Sequence, residues 1–296
     1  MSIYDDFEKN SANHAALSPL SFIKRTALMF PDRDAVIYRS RKYSWSQLYK
    51  RSIQLASALS KKGVGKGDTV AILAANTPEM IEAHFGIPMS GAILNTINTR
   101  LDADTISYIL GHGEAKVFIV DGELAPQAAE AIKGRDILVV DIADLQDNLN
   151  PNRIGTIDYT DFIKLGEESA DWEMPTDEWD AIALNYTSGS TGRPKGVVYH
   201  HRGAYLMSMG VIADWGLPRH PKYLYTVPLF HCNGWCHGWA MAALAGTIVC
   251  TRAITPSVIY NAISEHGITN FGGAPIVLGM ILNANDTDRK NFDYTV

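Results

Sequence analysis

The chain has 296 residues, 46% of them hydrophobic and 20% charged, with a net charge of −6. Such a chain can bury a sizeable core without disulfides or metals, as one large domain or two moderate ones. It carries no basic block and no run of about 18 apolar residues, which argues against nucleic acid as a main partner and against a membrane-spanning helix. The three cysteines Cys232, Cys236 and Cys250 form no disulfide framework, and Met1–Asp6 shows no basic start to a secretory signal. A reducing, cytoplasmic location is the expectation.

In chain order, Ala35–Tyr38 reads as a strand, Arg39–Lys42 as a polar turn, and Tyr43 as the start of the return. Ser44 and Gln47 then have the spacing of a capping box. A helix follows through Leu48, Ile53, Leu55, Ala56 and Leu59 and stops near Gly63. Thr69–Leu73 is a strand of buried type. Thr77-Pro78 opens a helix through Phe85. Lys116–Val120 and Asp136–Val140 are two more strands, with the Ala-rich stretch Ala125–Ile132 between them. Residues 145–175 are polar and weakly periodic, and read as a long surface connection. Beyond them come strands at Ala181–Tyr186, Gly196–Tyr199, Tyr223–Val227 and Thr247–Cys250. A helix runs from Thr255-Pro256 to Gly267, then a strand at Ile268–Phe271 and a helix at Pro275–Leu282. Strands alternating with helices imply an α/β fold with parallel pairing.

The most informative segment is Tyr186-Thr187-Ser188-Gly189-Ser190-Thr191-Gly192-Arg193-Pro194-Lys195-Gly196. Glycines allow a tight turn and close backbone approach to a ligand. Four hydroxyls can donate to phosphate oxygens, successive backbone N–H groups form an anion-binding concavity, and Lys195 adds positive charge. The spacing is not the G-x-x-x-x-G-K-S/T of a P-loop NTPase, because Gly189 and Gly192 are three apart and Gly196 follows the lysine. A solvated Ser/Gly turn is the bland alternative, and the hydroxyls, glycines and lysine occurring together weigh against it. A second segment, Phe230-His231-Cys232-Asn233-Gly234-Trp235-Cys236-His237, invites a zinc reading. Four ligands so close in one stretch rarely close a tetrahedron, however.

Thr187–Gly196 resembles the phosphate loop of the adenylate-forming superfamily, which includes acyl-CoA synthetases, peptide-synthetase adenylation domains and luciferases. Met29–Ala35 with Tyr43–Leu48, and Gly67–Ala71, look like the family's opening segments. Phe230-His231 and Gly234 look like the segment that walls its carboxylate pocket. Amino-acid-activating relatives carry an aspartate after that phenylalanine; here the residue is His231, so a plain carboxylic acid fits better. Thr269–Leu278 resembles the strand and helix that shape the acyl tunnel. The wording is most similar to the branch of short- and medium-chain acyl-CoA ligases that includes 3-methylmercaptopropionyl-CoA ligases.

The resemblance implies a large N-terminal domain of stacked α/β subdomains, incomplete over 1–296 and stopping before the small C-terminal domain. Residues 1–175 would form the first subdomain and connection, and 176–296 the phosphate-loop and acyl-pocket subdomain. It implies a fatty-acid-metabolism ligase that activates a carboxylic acid with ATP and Mg²⁺ and passes the acyl group to coenzyme A. Carrier-protein loading, or nucleotide binding without catalysis, are the alternatives. Thr187, Ser188, Gly189, Ser190, Thr191, Gly192, Arg193, Pro194 and Lys195 would bind ATP, with Thr187 on magnesium. Thr187, Lys195 and His231 would act in catalysis. His231, Trp235 and Gly273 would bind the acid. A homodimer is the default expectation.

Overall fold

The computed structural model describes residues 4, 8–143, 152–187 and 192–296. Helix α1 (Leu20–Met29) precedes the hairpin β1 (Asp34–Tyr38) and β2 (Arg41–Ser44), followed by α2 (Trp45–Lys61). Three βα steps and a further strand come next: β3 (Thr69–Leu73) and α3 (Pro78–Met89), β4 (Ile93–Thr96) and α4 (Ala103–His112), β5 (Ala115–Asp121) and α5 (Ala125–Ala131), then β6 (Leu138–Ile142). The second half runs β7 (Ile157–Asp158), α6 (Tyr159–Lys164), β8 (Ala181–Thr187), β9 (Lys195–His200), α7 (His201–Asp214) and β10 (Lys222–Leu224). It closes with α8 (Cys232–Trp235), α9 (His237–Leu244), β11 (Thr247–Val249), α10 (Pro256–His266), β12 (Asn270–Phe271) and α11 (Pro275–Leu282).

The strands form two sheets, ordered β12-β10-β11-β1-β2 and β7-β6-β5-β3-β4-β8-β9. Pairing is parallel except for the end hairpins β1–β2 and β8–β9. Each sheet draws strands from both sides of position 175.

Strand periodicity distributes the core. Val70 and Ile72 of β3 and Val117 and Ile119 of β5 face one way, while Ala71, Leu73, Phe118 and Val120 face the other. In the second sheet Val36, Tyr223 and Ile248 turn inward, and Ile37, Leu224 and Val249 turn outward. The inner faces of both sheets share one core with α1, α2, α3 and α9. Helices α4 and α5 cover the outer face of the longer sheet, and α10 and α11 that of the shorter. Strands buried on both faces explain the near-continuous apolar runs.

The capping box forms as the spacing predicts: Gln47 N donates to Ser44 Oγ (3.3 Å) and Ser44 N to Gln47 Oε1 (2.8 Å). The stretch expected to be a surface connection differs from that reading. Its described part holds β7 and α6, and Tyr159, Phe162 and Ile163 are buried against the shared core. A six-residue helix is too short for helical periodicity to show. The expected strand Asp136–Val140 lies two residues later, at Leu138–Ile142. The expected turn at Lys42 is already paired, because the hairpin reverses earlier, at Arg39 (φ +53°), and β2 starts at Arg41.

Candidate functional site

Two cavities adjoin at β9, and the first opens at the carboxyl ends of β4 and β8, where α/β sheets place ligands. The first, of about 510 Å³, is lined by Thr96, Asn185 and Thr187 at the ends of β4 and β8, and by Thr105 and Ile109 of α4. The second, of about 650 Å³, is more apolar, with Val198, Ala204, Met207 and Trp235 in its wall. They share Tyr199, His231 and Cys232. Among the described residues neither wall contains an aspartate or glutamate. Anionic groups can therefore enter without like-charge repulsion.

The sequence-predicted residues distribute around this junction. Thr187 ends β8, Lys195 opens β9, and the two are partners in the antiparallel ladder. Thr187, Gly192 and Pro194 line the polar cavity. Ser188, Gly189, Ser190 and Thr191 lie outside the described residues. The Arg193 guanidinium stands over the Tyr108 ring, 5.0 Å from its centre. His231 lines both cavities, and Trp235 walls the apolar one. Gly273 is not among the described residues lining either cavity; it sits just after β12, where an added Cβ would lie 2.9 Å from Val277 Cβ. Among the described residues no group of three or more His, Cys, Asp or Glu side chains could hold a metal ion. The Cys232–His237 segment instead builds a wall.

That wall is backbone-strained. Cys232, Asn233, Gly234, Trp235 and Cys236 have φ of 48°, 44°, 56°, 56° and 60°, all left-handed. The four that are not glycine cost roughly 1–2 kcal/mol each and persist where their surroundings over-determine them. Here they do. Asn185 Nδ2 donates to Asn233 Oδ1 at 2.5 Å. Tyr225 Oη donates to the Gly234 carbonyl at 2.8 Å and accepts from Gly238 N at 3.0 Å. Thr96 Oγ1 lies 3.0 Å from the Phe230 carbonyl and 3.2 Å from Asn185 Oδ1.

Asn76, just past β3, joins the two sheets behind this turn. Its Nδ2 donates to the carbonyls of Tyr225 (2.9 Å) and Val227 (3.0 Å), and its Oδ1 accepts from Leu229 N (2.8 Å). Sequence reasoning missed Asn76, Thr96, Asn185 and Tyr199, because polar residues at strand ends carry no local motif.

The ionisable groups around the junction are mostly held neutral. Burial lowers the His237 imidazole to about 4 and raises the Cys236 thiol to about 12. Burial first, and then the Cys232 thiol hydrogen-bonded beside it, push the Tyr199 phenol up to about 12. Hydroxyl and amide oxygens, Thr187 Oγ1 among them, are the hard donors that suit magnesium alongside phosphate oxygens.

Residues 23–295 match the AMP-binding enzyme family. The chain belongs to that family. An acetate–CoA ligase of Humulus lupulus is 45% identical over 295 residues, covering 95% of this chain and 52% of its own. A peroxisomal acetate/butyrate–CoA ligase of Arabidopsis thaliana is 44% identical over 96% of this chain and 52% of its own. A 2-methylpropanoate–CoA ligase of Humulus lupulus is 42% identical over 95% and 52%. The chain thus spans about half the length of the curated relatives it matches. A benzoate CoA ligase from Burkholderia xenovorans superposes with a TM-score of 0.80 at 20% identity, over 91% of this chain and 52% of that one. O-succinylbenzoate coenzyme A synthetase from Bacillus subtilis, solved with ATP and magnesium ion, gives 0.74 at 21% identity over 91% and 67%. At such identities these structures establish the fold. Among the described residues no helix is long and apolar enough to cross a membrane.

Proposed function

We infer that this chain carries the nucleotide and acid sites of an AMP-forming ligase that activates a short-chain carboxylic acid for transfer to coenzyme A. The observation that carries the reading is the junction itself. A polar cavity beside the β8–β9 connection meets an apolar cavity at Tyr199, His231 and Cys232. A carboxylate whose apolar tail lies against Met207 and Trp235 would meet a nucleotide there. The relatives named for acetate, butyrate and 2-methylpropanoate support a short acid.

The carboxylate oxygen attacks the α-phosphorus, forming acyl-adenylate and releasing pyrophosphate. The coenzyme A thiol then displaces AMP and yields acyl-CoA. A carboxylate is already a nucleophile, so the first step needs positioning and charge neutralisation rather than a base. That suits a junction whose Tyr199, Cys236 and His237 all stay neutral near pH 7. Lys195 and the backbone N–H groups of the connection would carry phosphate charge, and Thr187 would help hold Mg²⁺, which neutralises the polyphosphate. His231 and Trp235 would orient the acid. Free thiols at all three cysteines suit a reducing compartment such as cytoplasm or peroxisome.

The half-length span favours a second reading for this chain by itself, nucleotide binding without turnover. Pyrophosphate release with ATP, Mg²⁺ and a panel of carboxylic acids separates the two. Acid-dependent release that falls about a hundredfold or more in the Thr187→Ala, Lys195→Ala variant is the expected result. Nucleotide binding with no release for any acid would favour the second.

A further inference from the structure

Trp235 is the largest side chain in the described wall of the apolar cavity. It is 45% exposed, so the position of its ring depends on the few groups that meet it. Trp215 meets it edge-on, with ring centroids 6.4 Å apart and planes at 75°. His237 stacks beside it at 6.5 Å and also meets Trp215, at 4.7 Å. Trp215 is not among the described residues lining that cavity. It reaches the cavity through Trp235.

Trp215 is itself held at both ends. It caps α7: its N–H donates to the Val211 carbonyl at 3.1 Å, and Gly216, at φ +56°, turns the chain away. Positions 207, 211 and 215 are one turn apart, so Trp215 follows the cavity residue Met207 along one side of the helix. Just past β12, Gly272 leaves a notch for the indole. A Cβ added there would lie 2.5 Å from Trp215 Cη2 and 2.8 Å from Cζ3. Gly272 has little freedom to withdraw, because its carbonyl accepts from Thr226 Oγ1. Tyr223 Oη lies 3.1 Å from the same Cβ position and 3.0 Å from His237 Nδ1. Contact therefore runs from the shorter sheet through Gly272 and Trp215 to Trp235 and the cavity. Indole rings, with two side-chain torsions each, transmit a displacement with little slack.

We propose that Trp215, seated against Gly272, holds Trp235 against the tail of the acid, so that this pair sets the chain length of the acid the cavity prefers. This rests on the reading of the apolar cavity as the acid's site. Trp215 and Gly272 are positioning residues; neither touches the acid. With the prop gone, Trp235 falls back, a short acid loses its wall and a longer one gains room. A general loss of structure instead weakens all acids alike.

The test is ligand-detected NMR titration of butyrate and of octanoate into the 296-residue chain, unaltered and as Trp215→Leu. The preference for octanoate over butyrate is expected to rise by at least about fourfold in the variant, the gain from burying one further methylene. Gly272→Ala should also shift the ratio in the unaltered chain, by displacing Trp215. In the Trp215→Leu background it should change the ratio by less than about twofold, because the ring atoms the new Cβ would strike are gone. Should Trp215→Leu fail to fold, Trp215→Phe, a smaller ring at the same place, carries the same comparison. Equal weakening of both acids, or a ratio that stays or falls, overturns the prop and leaves the functional reading standing. An unaltered chain that binds neither acid overturns the functional reading and the prop with it.

Discussion

At the scale of single residues, Gly234 shows how a local conformation and a distant side chain select one amino acid. Its φ of +56° disfavours a side chain, and an added Cβ would lie 2.8 Å from Tyr225 Cε1 and closer still to Tyr225 Oη. Moving Tyr225 would release the Gly234 carbonyl and Gly238 N together. Gly234→Ala is therefore expected to cost about 2–4 kcal/mol, read as a lower urea midpoint. A cost under about 0.5 kcal/mol would mean that the left-handed turn is not held as described. The candidate site was legible here only where its residues are neighbours in sequence. Phe230–Trp235 and the connection after Thr187 stood out as strings. Asn185, 48 residues from Asn233, and Thr96, 89 residues from Asn185, did not.

Elements that carry their own start and stop signals were the ones the sequence located best. Helix α2 has its capping box at Ser44 and its buried stripe at Leu48, Leu55, Ala56 and Leu59. Ser44→Ala should cost about 1 kcal/mol, measurable by urea unfolding, and Ser44→Asp should recover most of it. Helix α10 runs between Thr255, whose Oγ1 accepts from Val258 N at 3.3 Å, and Gly267 at φ +63°. Helix α3 is the opposite case. Glu79, Glu82 and His84 would suit a solvated face, yet the whole helix is buried. Arg41 reaches Glu79 at 2.6 Å; Arg51 reaches Glu82 at 2.6 Å, and Tyr159 Oη donates to Glu82 at 2.9 Å. Buried charge survives only when paired in this way, and the partners come from β2, α2 and α6. No pattern within α3 announces them.

For the whole molecule, buried neutral histidines set a pH dependence. Burial lowers His84, His201 and His237 from 6.5 to about 4. His84 accommodates this by using Nδ1 to donate to the Met80 carbonyl at 2.7 Å. With folded values below unfolded ones, the folded state binds fewer protons. The stability these residues contribute is fully present above pH 6.5 and is lost as pH falls towards about 4. The loss should amount to a few kcal/mol, on the order of 1–3 per histidine, in urea unfolding followed against pH. Replacing His201 by Asn should make the fall shallower. A stability that stays flat across this window would contradict neutral burial of the three.

The sequence by itself determined the α/β alternation, most strand positions and the helix caps, and it marked out the Ser/Gly/Thr string between Thr187 and Lys195. All of these follow from short-range periodicity and turn chemistry, which a few adjacent residues express in full. Only the tertiary structure decided that β1 and β2 join β10, β11 and β12 in a sheet separate from the strands between them, and that Asn76 ties the two sheets together. It likewise decided that His112 and Tyr108 of α4 meet Tyr186 and Arg193. These outcomes rest on contacts between residues far apart in the chain, whose partners are selected by packing the whole core and not by any local spacing.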